Sequence, residues 1–135
     1  MNPDLDLTFH HTGYLVRDIE ASKKSFRELR FNDFSETIVV AQQKVKVCFI
    51  KLSEDIFAEL VEPFADNDTL IKLMETKGNV YHLGYLTHEF DDCLTSLENE
   101  GFYLINTFRS EAFGNMRCAF LYTPDVQLIE IIEKQ

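Results

Sequence analysis

The chain has no tryptophan, three prolines and five glycines in 135 residues, and neither a low-complexity segment nor a Ser/Gly-rich linker divides it. Its three cysteines, Cys48, Cys93 and Cys118, are odd in number and show no Cys-x-x-Cys spacing. That argues against a disulfide framework and for a reduced, cytoplasmic setting. Basic residues are scarce: 13 Lys and Arg stand against 23 Asp and Glu, a net charge of −10. Nucleic acid and anionic membranes reward clustered Lys and Arg, so neither is expected as a partner. No apolar run is long enough to span a bilayer. The polar, acidic stretch from Met1 to Thr8 lacks the apolar core of a signal peptide.

What the chain does have is 45% hydrophobic residues, including 12 Phe and 5 Tyr, enough for a packed interior. The length is one ordinary domain, or two small modules sharing a core. Two modules are written into the sequence. His10-His11-Thr12-Gly13-Tyr14-Leu15 returns as Tyr81-His82-Leu83-Gly84-Tyr85-Leu86, an offset of 71 positions from His11 to His82. The same offset pairs Phe31 with Phe102, Phe49 with Phe120, Glu59 with Glu130 and Glu62 with Glu133, without a gap. Matching halves in one register are the signature of an internal duplication.

Periodicity and turn residues give the elements. Residues 9–16 read as a strand, and Asp18 caps a helix over 19–30 with Ile19, Phe26 and Leu29 as its apolar stripe. Strands are expected at 33–40, 45–52 and 56–62, the last closed by Pro63. Residues 64–78 form a connector with a short helix at 70–74, for which Asp66, Asn67 and Asp68 are candidate caps and Gly78 is the stop. The second half repeats the order: a strand at 80–87, a helix at 90–100, and strands at 103–108, 116–122 and 127–132. The expected fold class is α+β. One domain over residues 1–135 contains a βαβββ module at 8–63 and a second at 79–133, joined by 64–78.

Two of the repeated positions carry metal-binding side chains, His11/His82 and Glu59/Glu130. The His-to-Glu spacing is 48 in both halves, from 11 to 59 and from 82 to 130. If a pseudo-twofold axis relates the modules, these four side chains would converge where the sheets face each other. Mixed nitrogen and oxygen donors suit Zn²⁺, Fe²⁺, Co²⁺, Ni²⁺ or Mn²⁺. Four protein ligands on an octahedral ion leave two positions open, which marks a catalytic site rather than a structural one. Glu59 lies among Phe57, Ala58, Leu60 and Val61, and Glu130 among Leu128, Ile129, Ile131 and Ile132. A carboxylate in such a strand is costly unless paired or metal-bound. A single Glu or His would more simply be a surface residue, and duplication copies any residue, ligand or not. The matched quartet is what favours a site.

With these residues the chain resembles the vicinal oxygen chelate superfamily, and within it methylmalonyl-CoA epimerases and lactoylglutathione lyases (glyoxalase I). The resemblance spans nearly the whole chain. It is carried by residues His11 to Glu20, Ala58-Glu59-Leu60-Val61-Glu62-Pro63, Lys77-Gly78, Tyr81 to Tyr85, Cys118 to Leu121, and Leu128-Ile129-Glu130-Ile131. It implies a glyoxalase-like fold, two βαβββ modules forming a curved mixed sheet around a central cavity, often as a homodimer. It also implies one divalent metal held by His11, Glu59, His82 and Glu130, with His10, Glu62 and Glu133 as non-ligands. The implied activity is a metal-dependent isomerase or lyase that moves a proton next to a carbonyl, on a thioester or hemithioacetal. Glu130 or Glu59 would be the base. The chain departs from the epimerases in two places. Some of them are thought to use a further Glu on the third strand, whereas residues 37–53 contain no Asp or Glu. Their typical last hairpin is replaced by Tyr122-Thr123-Pro124-Asp125-Val126.

Weaker signals remain. Lys46 and Arg117, matched in the repeat, would clamp a substrate carboxylate or phosphate, although exposed charge is the commoner role for such residues. Phe108, Phe113 and Met116 would line a ligand mouth or serve as core. The alternative to an enzyme is a small-molecule binding module of the same fold, which typically lacks the quartet. A ring-cleaving dioxygenase uses two His and one Glu in a longer chain.

Overall fold

The computed structural model describes residues 6–135. Of the N-terminal stretch read as free of a signal peptide, Met1–Leu5 lie outside the described residues. The chain divides into two units, His11–Tyr81 and His82–Gln135, the latter joined by the described residues 6–10.

In the first unit, Asp18 ends β1 (Thr8–Leu15) and starts α1 (Ile19–Glu28) by accepting from the Glu20 and Ala21 N–H groups at 2.8 and 3.3 Å. An acidic side chain there satisfies two of the helix's orphan donors. Glu62 accepts from the Ile19 N–H at 2.9 Å, tying the helix start to the last strand. The strands that follow are β2 (Ile38–Val40), β3 (Val45–Lys51) and β4 (Phe57–Pro63). Their spatial order is β2-β3-β4-β1, with β1 parallel to β4 and the other pairs antiparallel. Strand alternation gives this sheet two faces. Cys48 and Ile50 of β3 and Ala58 and Leu60 of β4 pack with Val16, Ile19 and Phe26 of the helical layer. Each fully buried Leu or Ile contributes about 1.5–3 kcal/mol. The connector helix α2 (Asp68–Lys77) completes the unit.

The second unit repeats the plan with β5 (Val80–Thr87), α3 (Phe90–Asn99), β6 (Tyr103–Ser110), β7 (Met116–Tyr122) and β8 (Leu128–Glu133). Its order is β5-β8-β7-β6, with β5 parallel to β8. The 71-residue offset is kept by the starts of three element pairs: α1 and α3, β3 and β7, β4 and β8. Ala119, Leu121, Ile129 and Ile131 bury against Cys93, Leu94 and Leu97 of α3. Gly101 ends that helix at φ 91°, a conformation that a side chain disfavours. The start of the chain is stitched here: Asp6 accepts from the Thr87 hydroxyl at 2.9 Å and pairs with His88, and Phe9 meets Tyr85 edge-on. His88, a surface residue on the sequence reading, therefore holds the Asp6 carboxyl below its ordinary range.

Four expected elements differ by two residues or more, the helix expected at 19–30 ending at Glu28. The strand expected at 33–40 keeps only Ile38–Val40, the helix at 70–74 extends over Asp68–Lys77, and the strand at 103–108 runs on to Ser110. None of the three cysteines is in a disulfide, and all are buried. Burial pushes the Cys93 thiol up to about 11, out of the reactive range. Among the described residues no helix is long and apolar enough to cross a membrane.

Candidate metal centre

Each unit holds one buried His–Glu pair on the sheet face turned away from its helix-packed core. In the first, Ala58 and Leu60 point to the helical core, so Glu59 between them points the other way, and His11 Nε2 stands 3.4 Å from its Oε1. In the second, Ile129 and Ile131 flank Glu130 in the same manner, and His82 Nε2 stands 3.3 Å from Glu130 Oε1. His11 is 0% exposed, His82 3%, and both glutamates 4%. Such burial sets these carboxylates apart from the solvated surface glutamates.

The neighbours of the two pairs match as well. Gly13 stands opposite Glu59 in the parallel register, and Gly84 opposite Glu130, so no side chain from that strand crowds either carboxylate. Phe49 is the antiparallel partner of Glu59, and Phe120 that of Glu130. Phe49 meets the His11 ring edge-on at 6.1 Å, and Phe120 meets the His82 ring at 5.4 Å. Each pair therefore has one apolar aromatic wall, which lowers the local dielectric and raises the cost of an uncompensated carboxylate.

The donor set fits a divalent ion. Separations of 3.3–3.4 Å exceed the ordinary N–H···O range. Two ligands bound to one ion at about 2.1 Å stand roughly 3.0–3.4 Å apart, depending on the angle between them. His11, Glu59, His82 and Glu130 are a group of buried residues among the described ones with the donors to hold a metal ion. Imidazole nitrogen with carboxylate oxygen suits borderline transition metals.

The structure places the remaining sequence candidates elsewhere. Lys46 alternates with Val47 and Phe49 and leaves β3 on the helix side, 3.8 Å from Glu62. Arg117 leaves β7 on the helix side too, donating to Glu133 at 3.1 and 2.7 Å and to Asp91 at 3.0 and 3.1 Å over the Phe90 ring. Neither joins the His–Glu pair of its own unit. Sequence reasoning did not pick out Phe49 and Phe120 as site neighbours, though both lie on the 71-residue repeat that marked the ligands.

Comparison with curated proteins finds no match. Among solved structures, a hypothetical protein from Bacillus halodurans C-125 is similar at 19% identity over 96% of each chain, with a TM-score of 0.86. The methylmalonyl-CoA epimerase of Mycobacterium tuberculosis is similar at 19% identity over 94% of this chain and 87% of its own, with a TM-score of 0.80. A Streptomyces coelicolor methylmalonyl-CoA epimerase variant, in complex with 2-nitronate-propionyl-CoA, shares 21% identity over 96% of this chain and 99% of its own, with a TM-score of 0.82. At such identities the likeness establishes the fold, the glyoxalase-like α+β fold implied by the sequence. The family model described as the Glyoxalase/Bleomycin resistance protein/Dioxygenase superfamily matches residues 10–120, most of both repeats, and the chain belongs to that superfamily.

Proposed function

We propose that this protein is a divalent-metal-dependent isomerase or lyase that moves a proton on a carbon next to a carbonyl, in the manner of a methylmalonyl-CoA epimerase or a lactoylglutathione lyase. The observation that carries the reading is the buried His–Glu pair found once in each unit, at 3.4 and 3.3 Å. His11, Glu59, His82 and Glu130 together would hold one ion, whose charge offsets the two buried carboxylates. A divalent metal held by these residues (Ni, Co, Zn, Mn or Fe) would supply Lewis acidity toward a substrate carbonyl and so acidify the neighbouring C–H.

The chain's own residues supply the rest. Glu130 takes the proton from carbon and returns it, with Glu59 as its repeat counterpart. Phe49 and Phe120 wall the imidazoles on their apolar side and limit the water beside the carboxylates. The epimerases that share the fold support this reaction class, and the CoA compound bound by one of them supports a thioester as substrate. Buried thiols outside any disulfide agree with work in a reducing cytoplasm.

Elemental analysis of untagged protein beside His82→Ala tests the reading first. The expected result is about one equivalent of divalent metal in the wild type and its loss in the variant. Metal-loaded protein should then exchange the α-proton of a thioester or hemithioacetal with deuterated solvent. Absence of metal, with no uptake of added Ni²⁺, Co²⁺, Zn²⁺ or Mn²⁺, would leave a binding module on a duplicated scaffold.

A further inference from the structure

The duplication offers a way to find what the substrate looks like. A substrate is asymmetric, so it is read where the two halves differ on the ligand-bearing face. In the second unit an aromatic row runs outward from the metal pair. Phe120 meets His82 at 5.4 Å, and Phe108 stacks on Phe120 at 5.4 Å with 27° between the rings. Phe108 lies on β6, whose register sets Asn106 opposite Phe120 and Phe108 opposite Cys118, so these side chains share the face of Glu130. Phe120 repeats Phe49, but the repeat position of Phe108 is Thr37. The first unit has a second ring of its own, Phe57 at 6.4 Å from Phe49, but it meets Phe49 edge-on at 82°, so the stacked pair belongs to one half alone.

Charge on this face points the same way. Along β6, β7 and β8 the side chains turned toward the face of Phe120 include Asn106, Phe108, Met116, Cys118 and Leu128, all uncharged, beside the ligand Glu130. Arg109 and Arg117 are directly opposed on the other face, and Arg117 is taken up by Asp91 and Glu133. A substrate carboxylate lying on these strands would meet no cationic side chain to pair with. A flat apolar group would meet a ring at stacking distance.

We infer that the Phe108–Phe120 pair seats a flat, uncharged aryl group of the substrate beside the reacting carbon. The inference rests on the metal-centre reading above and adds the chemistry of the substrate's non-reacting arm. Phe108 is a specificity-determining residue in it, not a catalytic one.

The test uses binding rather than turnover. Zn²⁺-loaded protein is titrated calorimetrically with benzohydroxamate, acetohydroxamate and the monohydroxamate of succinate, which share a chelating head and differ in the arm. Benzohydroxamate should bind about tenfold tighter than acetohydroxamate, the gain expected from one stacked and partly buried ring. The succinate compound should bind weakest. Phe108→Thr, which installs the residue of the first repeat, should bring the aryl and methyl compounds within about twofold of each other. It should leave metal content unchanged. Phe108→Leu, which keeps apolar bulk at the site, should do the same if the flat ring is what matters. Equal affinities for the three compounds in metal-loaded wild type would overturn this inference alone. Failure to load metal would take down the metal-centre reading, and this inference with it.

Discussion

Arg117 sits on β7 with its guanidinium between Asp91 and Glu133 and over the face of Phe90. The arginine lowers the Glu133 carboxyl below its ordinary value of 4.5. A carboxyl held low when folded adds stability that is complete above its unfolded value and is lost as pH falls through the lower folded one. Arg117→Met should therefore lower the thermal midpoint by a few degrees at pH 7, since it also leaves two carboxylates facing each other. The difference from wild type should shrink as pH falls below 4.5, where Glu133 protonates in the unfolded chain. Melting curves from pH 7 to pH 3 check both parts, and a constant offset across that range would contradict the linkage. The same residue shows what alternation hides. Sequence spacing matched Arg117 to Lys46 but not to a sheet face. The face follows only from the register that sets Phe120 opposite Glu130, which puts residue 117 on the opposite side.

At the scale of elements, side chains that replace backbone partners decide the boundaries. The strand expected at 33–40 is cut short because the Ser35 hydroxyl accepts from the Phe49 N–H at 2.8 Å, a place where a regular ladder would use a carbonyl. Only an isolated Phe34–Ile50 bridge survives upstream of Ile38. Asn67 acts in the reverse sense and lengthens a helix. Its carbonyl caps α2 at the Leu70 N–H, 3.2 Å away, and its amide donates to the Gln43 and Lys44 carbonyls at 3.2 and 3.0 Å. One side chain thus starts the connector helix and holds it to the β2–β3 turn, where Lys44 has a left-handed φ of 56°. Asn67→Ala should cost about 1–2 kcal/mol in urea unfolding, the sum of a lost cap and partly exposed hydrogen bonds. Asn67→Asp keeps the cap and loses the amide donors, so it should recover about half of that loss. Equal losses in the two variants would mean that the turn contacts, not the cap, hold the helix. The strands at 80–87 and 116–122 were legible to the residue because alternation and the repeat agreed there. Hydrophobic pattern gave no sign of Ser35, which does not act through burial; Asn67 was legible as a candidate cap, but its bonds to the β2–β3 turn were not.

For the molecule as a whole, the duplication makes stoichiometry the decisive quantity. The repeat was legible in the 48-residue spacing of His and Glu and in the common starts of three of the paired elements. What a sequence repeat cannot tell is whether two copies of a His–Glu pair make one metal centre or two. The proposed centre requires one. Each pair alone brings one nitrogen and one carboxylate side chain, too few for a tight transition-metal site at neutral pH. Pooled, they bring four protein ligands. Wild type should then bind about one equivalent. His11→Ala and His82→Ala should each lose nearly all of it, and the double variant should lose no more than either single one. Bound metal should raise the thermal midpoint of the wild type, with the rise removed by chelator and absent from all three variants, because a ligand that binds only the folded state stabilises it by mass action. Two independent half-sites would behave otherwise: two equivalents in the wild type, one in each single variant, and half the thermal shift remaining. Metal counting on these four proteins separates the two arrangements without any substrate, and only the first would put His11, Glu59, His82 and Glu130 on one shared ion able to supply Lewis acidity to a carbonyl.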